Sequence, residues 1–367
     1  MTAPRARTGP ERERQRHLPV LITGGAGFVA TNVAHRLLQE GRRVIVFDNL
    51  SRQGVERNLQ WLRDTHGPLV DVELGDVCDA DALARAVRRA GHVFHFAAQV
   101  AVTTSLLTPV RDFEVNARGT LNLLEAVRTS THRPSVLFTS TNKVYGDLEG
   151  LKLQGTGTRY EPANPQLRRH GVSERMPLDF HSPYGCSKGV AEQYVLDYAR
   201  TFGLRTVVFR MSCIYGPHQC GTEDQGWVAH FLLSALTGTP LTLYGDGRQV
   251  RDILYVDDLV DAMLLAEHHM HRVSGQAFNI GGGPRNATSL LELLQVIGDR
   301  LGEPPRARME PWRLADQRYY VSDTRKFAAA TGWTPRVSVR DGVAGLVEWL
   351  SAHRAAAAAQ TRKRVAS

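Results

Sequence analysis

Tyr184 and Lys188 stand four residues apart in Tyr184-Gly185-Cys186-Ser187-Lys188, so in a helix that has already begun there both side chains lie on one face. A neighbouring ammonium lowers the pKa of a phenol, and a phenol tuned in this way can take the proton of a substrate hydroxyl. A lone Tyr-x-x-x-Lys is more often plain helix surface. What raises this one is Thr141, in Phe138-Thr139-Ser140-Thr141-Asn142-Lys143-Val144-Tyr145-Gly146, which ends a short apolar run at the edge where an open α/β sheet presents its residues to ligands.

A second motif supplies what that chemistry lacks. Gly24-x-x-Gly27-x-x-Ala30 follows the apolar run at 18–23, and small residues between a strand and a helix let the backbone and the helix N–H groups reach a pyrophosphate. On its own the motif is weak, since a glycine-rich βα turn often binds nothing. Asp48 closes the next apolar run, Val44-Ile45-Val46-Phe47, where a carboxylate binds adenosine ribose hydroxyls and repels a 2′-phosphate. NAD is therefore favoured, and Arg52 keeps NADP as the alternative. With oxidised nicotinamide beside Tyr184, hydride can leave the carbon whose hydroxyl proton the phenol takes.

Those residues need a frame. Val29, Val33 and Leu37 recur every four positions with polar residues between, and Gly41 closes that helix, giving a βαβ unit with the flanking runs. The alternation continues: Val70 to Leu74, a helix from about 80 to 90, His92 to Phe96, a helix around Val115 to Val127, Val136 to Thr139, Gly189 to Phe202, and Thr206 to Arg210. It predicts an α/β fold of Rossmann type, a doubly wound parallel sheet over 18–215. A smaller, discontinuous C-terminal substrate lobe is expected over 216–350, with a return segment near 250–270. The polar segment from Tyr145 to Ser182, rich in Gly, Pro and Arg, reads as a long excursion over the cleft with no sheet element.

The formal charge of +8 sits mainly at the ends. Arg5, Arg7, Arg12, Arg14 and Arg16 against Glu11 and Glu13 give residues 1–17 a net +3, and Arg354, Arg362, Lys363 and Arg364 give the last sixteen +4, leaving the body near +1. Both ends, 1–17 and 351–367, read as disordered basic tails, with a nucleic-acid arm as the lesser reading, so no nucleic-acid partner is expected. No signal-peptide stretch and no membrane-length apolar run is apparent, so no membrane partner is expected and a cytoplasmic location is. Cys78, Cys186, Cys213 and Cys220 show neither CxxC pairing nor metal-ligand spacing, so reduced thiols and no metal site are expected.

TGGAGF at Thr23 to Phe28, FDNLSR at Phe47 to Arg52, TSTNKVYG at Thr139 to Gly146 and YGCSK at Tyr184 to Lys188 resemble the extended short-chain dehydrogenase/reductases that modify nucleotide sugars, over roughly residues 18 to 350. Within that family, STNKVYGDLE, HSPYGCSKG, DQGWV and GRQVRD are similar to members that invert C2 of a CDP-hexose. The resemblance implies an NAD-dependent isomerase in which Tyr184 is the acid/base, Lys188 binds the nicotinamide ribose and tunes Tyr184, and Thr141 hydrogen-bonds the reacting hydroxyl. It places Gly24, Gly27, Phe28 and Val29 at the pyrophosphate side of NAD and Asp48, Asn49, Asp76 and Val77 at the adenosine side. Ala97, Ala98 and Gln99 come from the fourth strand's end.

For the partner, a nucleotide-diphosphate sugar, the resemblance implies Thr141, Asn142, Lys143, Gln225, Arg251 and Arg313, the two arginines holding the diphosphate. Without it, both would read as surface or ion-pairing arginines. Asn142 and Lys143 occupy the place where related 4,6-dehydratases carry an acidic pair, which argues against dehydration. Trp227 and Tyr145 either touch the substrate or pack. The family implies a homodimer or homotetramer through helices beginning near Phe113 and Ser187. Two alternatives stand beside this reading: a nucleotide-sugar 4-epimerase using the same three residues, and a silent NAD-binding sensor or scaffold.

Overall fold

The apolar runs form one sheet of seven strands, β1 (Val20–Thr23), β2 (Val44–Asp48), β3 (Val70–Leu74), β4 (His92–His95), β5 (Ser135–Thr141), β6 (Thr206–Met211) and β7 (Gln276–Ile280). The computed structural model describes residues 17–313 and 316–365, with side chains as far as Arg354, so the basic arm at 1–16 lies outside the described residues. The strands lie in the order β7-β6-β5-β4-β1-β2-β3 and every neighbouring pair is parallel. That is the doubly wound sheet the alternation predicts, with its order reversing between β1 and β4, where a crevice opens at the strands' C-terminal ends.

The longer helices, numbered in chain order, are α1 (Phe28–Gln39), α2 (Val55–His66), α3 (Ala80–Val87), α4 (Gly119–Thr129), α5 (Ser182–Phe202), α6 (Trp227–Thr237), α7 (Val256–His268), α8 (Leu290–Leu301) and α9 (Val339–Val365). On one face of the sheet, Val33 and Leu37 of α1, Leu59 of α2 and Met263 of α7 join Phe94 and Phe209 in a buried core. On the other, Leu83, Leu123 and Val195 from α3, α4 and α5 pack on Phe138 and Val208. Strands apolar on both sides, as in Val136-Leu137-Phe138, are what a sheet covered by helices on both faces requires.

A separate core holds the second lobe, where Phe231 and Leu232 of α6, Leu293 and Ile297 of α8 and Leu346 of α9 meet. Its central strand, Val250–Tyr255, pairs with Cys213–Tyr215, Ala287–Ser289 and Tyr319–Tyr320. The return of the chain to the main sheet extends past 270, because α7 covers the sheet and β7 then forms its edge beside β6.

Two expectations differ from the structure. The excursion between Tyr145 and Ser182 contains an antiparallel hairpin, Leu153–Thr156 with Arg159–Pro162, and a short helix at Pro165–His170. Leu151 and Leu153 pack there on Val250, Tyr319 and Val321, an apolar pair too sparse to announce a strand. At the other end, α9 continues to Val365 through the stretch expected as a disordered tail, and Ala355 to Ala359 are the strongest of helix formers.

Candidate active site

β5 and α5 bring the reactive side chains together. β5 ends on Thr141, whose side chain caps the 3-10 turn Asn142–Tyr145 by accepting from the Lys143 N–H at 3.2 Å. α5 starts at Ser182 with Pro183 in its first turn, a proline position that costs the helix nothing, so Tyr184 and Lys188 are both helical and share one face. The Tyr184 phenol is near enough to the Thr141 side chain for that group to favour its ionised form, and the Lys188 ammonium lies 4.2 Å from the centre of the Phe138 ring. All three residues are buried.

The electrostatics depart from the expectation that Lys188 lowers the Tyr184 pKa. Among the protein's own groups burial dominates: it pushes the Tyr184 phenol up to about 12, with the Thr141 side chain pulling the other way. Burial also brings Lys188 down to about 7, against the opposing pull of Asp112 and Glu192.

Beneath these residues runs a network that the sequence did not announce. Ser187, between Tyr184 and Lys188, donates to Asp112, and Asn116 donates to Asp112 at 3.2 Å, to Ser187 at 3.0 Å and to the Gln99 carbonyl at 3.0 Å. The Gln99 N–H returns a bond to Asn116 Oδ1 at 2.9 Å. Asn116 is turned inward by a π-helical segment, Glu114–Arg118, a local widening that often marks functional positions. Under β5, Ser140 donates to Glu192 at 2.7 Å, and Arg210 binds the same carboxylate through Nε and Nη2 at 3.0 and 2.5 Å.

The glycine motif forms a cradle. Gly24 adopts φ +65°, and a Cβ there would lie 2.7 Å from the Ala97 nitrogen, so only glycine lets the first turn meet the end of β4. Gly27 is the N-cap of α1 and no side chain caps it, leaving the N–H groups of the first turn, at Phe28 and Val29, for an anion. Asp48 accepts from the N–H of Ala26 at 3.0 Å and of Leu50 at 2.8 Å. Asn49 donates to Asp76 at 3.0 Å and Arg111 pairs with Asp76 at 2.8 Å. Hydrogen bonds from the Cys78 N–H, Arg111 and Asn49 hold that carboxyl down at about 2 against its partial burial. Val77 is buried under Gly119, and Ala97, Ala98 and Gln99 continue the edge beyond β4. The Gln99 Oε1 is buried with no hydrogen-bond partner among the described residues. An uncapped helix, a turn that admits no Cβ and an acceptor carboxylate one strand away fit a dinucleotide.

The second lobe supplies the opposite wall. Arg251 is buried and binds Asp316 at 2.7 Å. Beside it, Lys143 is brought down to about 8 by burial and by the Arg251 charge. Asn142 donates to Gln317 at 3.0 Å, and Gln317 donates to the Gly146 carbonyl at 2.7 Å. Arg313 pairs with Asp224 at 3.3 Å and Glu223 at 3.5 Å and covers the Tyr244 ring at 3.8 Å, which joins it to the loop that carries Gln225. Tyr145 packs: its hydroxyl donates to Asn279 and accepts from Arg210. Trp227 begins α6 and packs on Phe231. No cluster of metal-ligating side chains and no helix apolar and long enough to cross a membrane occurs among the described residues.

A nucleotide cradle on a doubly wound sheet, a Thr-Tyr-Lys set at its edge and a second lobe carrying Arg251 and Arg313 define a class of enzyme acting on activated sugars, and residues 20–281 match the model of the NAD dependent epimerase/dehydratase family. The chain belongs to that family, whose members are NAD-dependent. It is 45% identical over 341 residues to CDP-paratose 2-epimerase of Salmonella typhi, covering 91% of this chain and 99% of that one. Among solved structures, a UDP-glucose 4-epimerase of Thermus thermophilus in complex with NAD is 33% identical with a TM-score of 0.76, over 90% of this chain and 98% of that one. One from Thermotoga maritima with UDP-glucose is 32% identical with a TM-score of 0.77, over 92% and 99%.

Proposed function

We propose that this protein inverts C2 of a CDP-hexose without net redox change. The observation that carries the reading is the buried set of Thr141 at the end of β5 and Tyr184 and Lys188 one turn apart in α5, beside Asn142 and Lys143 where dehydration would need carboxyl groups.

NAD, held by the Gly24–Gly27 turn, Asp48 and Lys188, supplies hydride acceptance and return when bound. Tyr184 takes the proton from the C2 hydroxyl and gives it back, so the phenol must exchange one proton per half-cycle. Thr141 orients that hydroxyl and partners the phenol's oxygen. Lys188 offers charge to the phenol and hydrogen bonds to a ribose, and Asp112 and Glu192 favour its ammonium form. Arg251 and Arg313 hold the diphosphate, with Asn142, Lys143 and Gln225 around the sugar. Binding the diphosphate firmly while leaving the ring free to present either face of its C2 ketone is what inversion requires.

Leu107, Val110 and Phe113 expose large apolar side chains, as do Tyr194 and Phe202 on α5, and we place a homodimer or homotetramer contact on this face. The test of the function is proton NMR of the protein with NAD and CDP-, UDP-, GDP- and dTDP-hexoses in deuterated water. Inversion at C2 with no deuterium uptake is expected from the CDP-sugar. Inversion at C4 would make the protein a 4-epimerase, and silence across the panel would refute epimerisation.

A further inference from the structure

Gly54, Asn58 and Trp61 fall on one stripe of α2, at spacings of four and three, and each touches the segment that follows Tyr215. Gly54, the N-cap of α2, adopts φ +91°, which favours glycine, and a Cβ there would lie a tight 3.0 Å from Cys220 Sγ. Asn58, buried, donates from Nδ2 to the His218 carbonyl at 3.1 Å. Trp61 lies against the His218 ring at 4.2 Å between centroids, and Trp349 of α9 stands on that ring at 5.3 Å. His218 itself is held at φ +66°, a backbone conformation that a bulky residue adopts only where its surroundings impose it.

The same Asn58 Nδ2 donates at 3.2 Å to the carbonyl of Ala26, inside the glycine motif. Ala26 is the residue whose N–H binds Asp48. A parallel link runs from α1, where Asn32 donates to the carbonyls of Phe28 and Pro217, both at 2.9 Å. Downstream of His218 the chain reaches Glu223 and Asp224, the carboxylates that hold Arg313, and then Gln225. One buried amide therefore ties the cofactor turn to the root of a loop on the sugar-nucleotide side.

We propose that Asn58, through its shared bonds to Ala26 and His218, is a positioning residue that couples the cofactor site to the substrate loop, so that each ligand tightens the grip on the other. The proposal rests on the reading of Arg313 and the 219–226 loop as the nucleotide side of the site. A ligand that draws on Asp48 shifts what Ala26 N–H and C=O are anchored to, and Asn58 passes that change to His218. A coupling of this kind is reciprocal, so it is measured from either ligand.

The experiment follows exchange of bound NAD for labelled NAD in the full-length holoenzyme, with and without saturating CDP, and measures CDP affinity by calorimetry. In the wild type CDP should slow exchange about tenfold or more. Asn58→Asp keeps the shape but has no N–H to donate, so CDP should still bind while its effect on exchange falls below about twofold. Asn32→Ala, on a less buried position, cuts only the parallel link and should reduce the factor about threefold, which keeps the test sharp should Asn58→Asp misfold. An unchanged factor in both variants, or no effect of CDP in the wild type, overturns the coupling. If the wild type binds UDP or dTDP in place of CDP, the substrate reading is corrected and the exchange test is run with that nucleotide; binding of none of the three overturns both readings.

Discussion

Arg251 and Asp316 form an ion pair of 2.7 Å in which the guanidinium side chain is only 8% exposed, and Lys143 feels both charges. A buried arginine with one carboxylate partner has donors to spare for a diphosphate. Arg251→Lys replaces a planar fork with a point charge, so the KM for the sugar nucleotide should rise roughly 10–100-fold while kcat changes little. Steady-state kinetics check this, and a fall in kcat at unchanged KM would remove Arg251 from substrate binding. Asp316→Asn should leave the fork in place but strip its counter-charge, lowering stability by about 1–3 kcal/mol in a denaturant titration.

Tyr184→Phe removes the phenol oxygen beside Thr141 and keeps the ring. Activity should fall about 100- to 10,000-fold, with NAD retained at wild-type stoichiometry. Thr141→Val keeps the β-branched shape and loses the hydroxyl, for a smaller loss of about tenfold. Equal activity in Tyr184→Phe and wild type, read by the NMR assay, would remove Tyr184 from the proton transfer.

How much of this was readable in the sequence depends on whether a residue's role is set by its chain neighbours. Gly24, Asp48, Tyr184 and Lys188 were readable, because the strand-to-helix turn and the four-residue spacing are local geometry. Asp112 and Asn116 were not: they reach Ser187 from 75 and 71 residues away, and only the π-helical turn aims Asn116 inward. Glu192 and Arg210 read as ordinary charges on a helix and a strand, although Glu192 is fully buried. The expected depression of the Tyr184 phenol by Lys188 failed because spacing conveys proximity and says nothing of how dry the site is.

Glu192 and Arg210 make a buried pair under β5, with Ser140 and Tyr145 satisfying their remaining bonding positions. Removing one partner leaves a charge stranded, so Glu192→Gln should destabilise the fold by about 3–5 kcal/mol. Replacing both, as Glu192→Met with Arg210→Met, should recover much of that loss, since paired apolar residues carry no desolvation cost. Urea denaturation of the wild type, the single and the double variant gives the comparison, and a double variant no more stable than the single would show that Ser140 and Tyr145 need the ions.

Two buried histidines of the main sheet contribute to the acid limit. His92 bonds Ser135 at 2.7 Å and His95 bonds Thr23 at 2.6 Å and Thr120 at 3.1 Å, and burial lowers them to about 4 and about 3. Both folded values lie below the unfolded one, so the unfolded chain binds more protons between the two. Their contribution to stability is thus complete above about pH 6.5 and declines as pH falls toward 4, by at most about 1.4 kcal/mol per pH unit for each. His92→Phe, whose ring packs where His92 meets Phe94 edge-on at 4.5 Å, should flatten the dependence of unfolding free energy on pH between 6.5 and 4 even if it lowers stability at pH 7 through the lost Ser135 bond. Parallel pH profiles for variant and wild type would remove His92 from the acid limit.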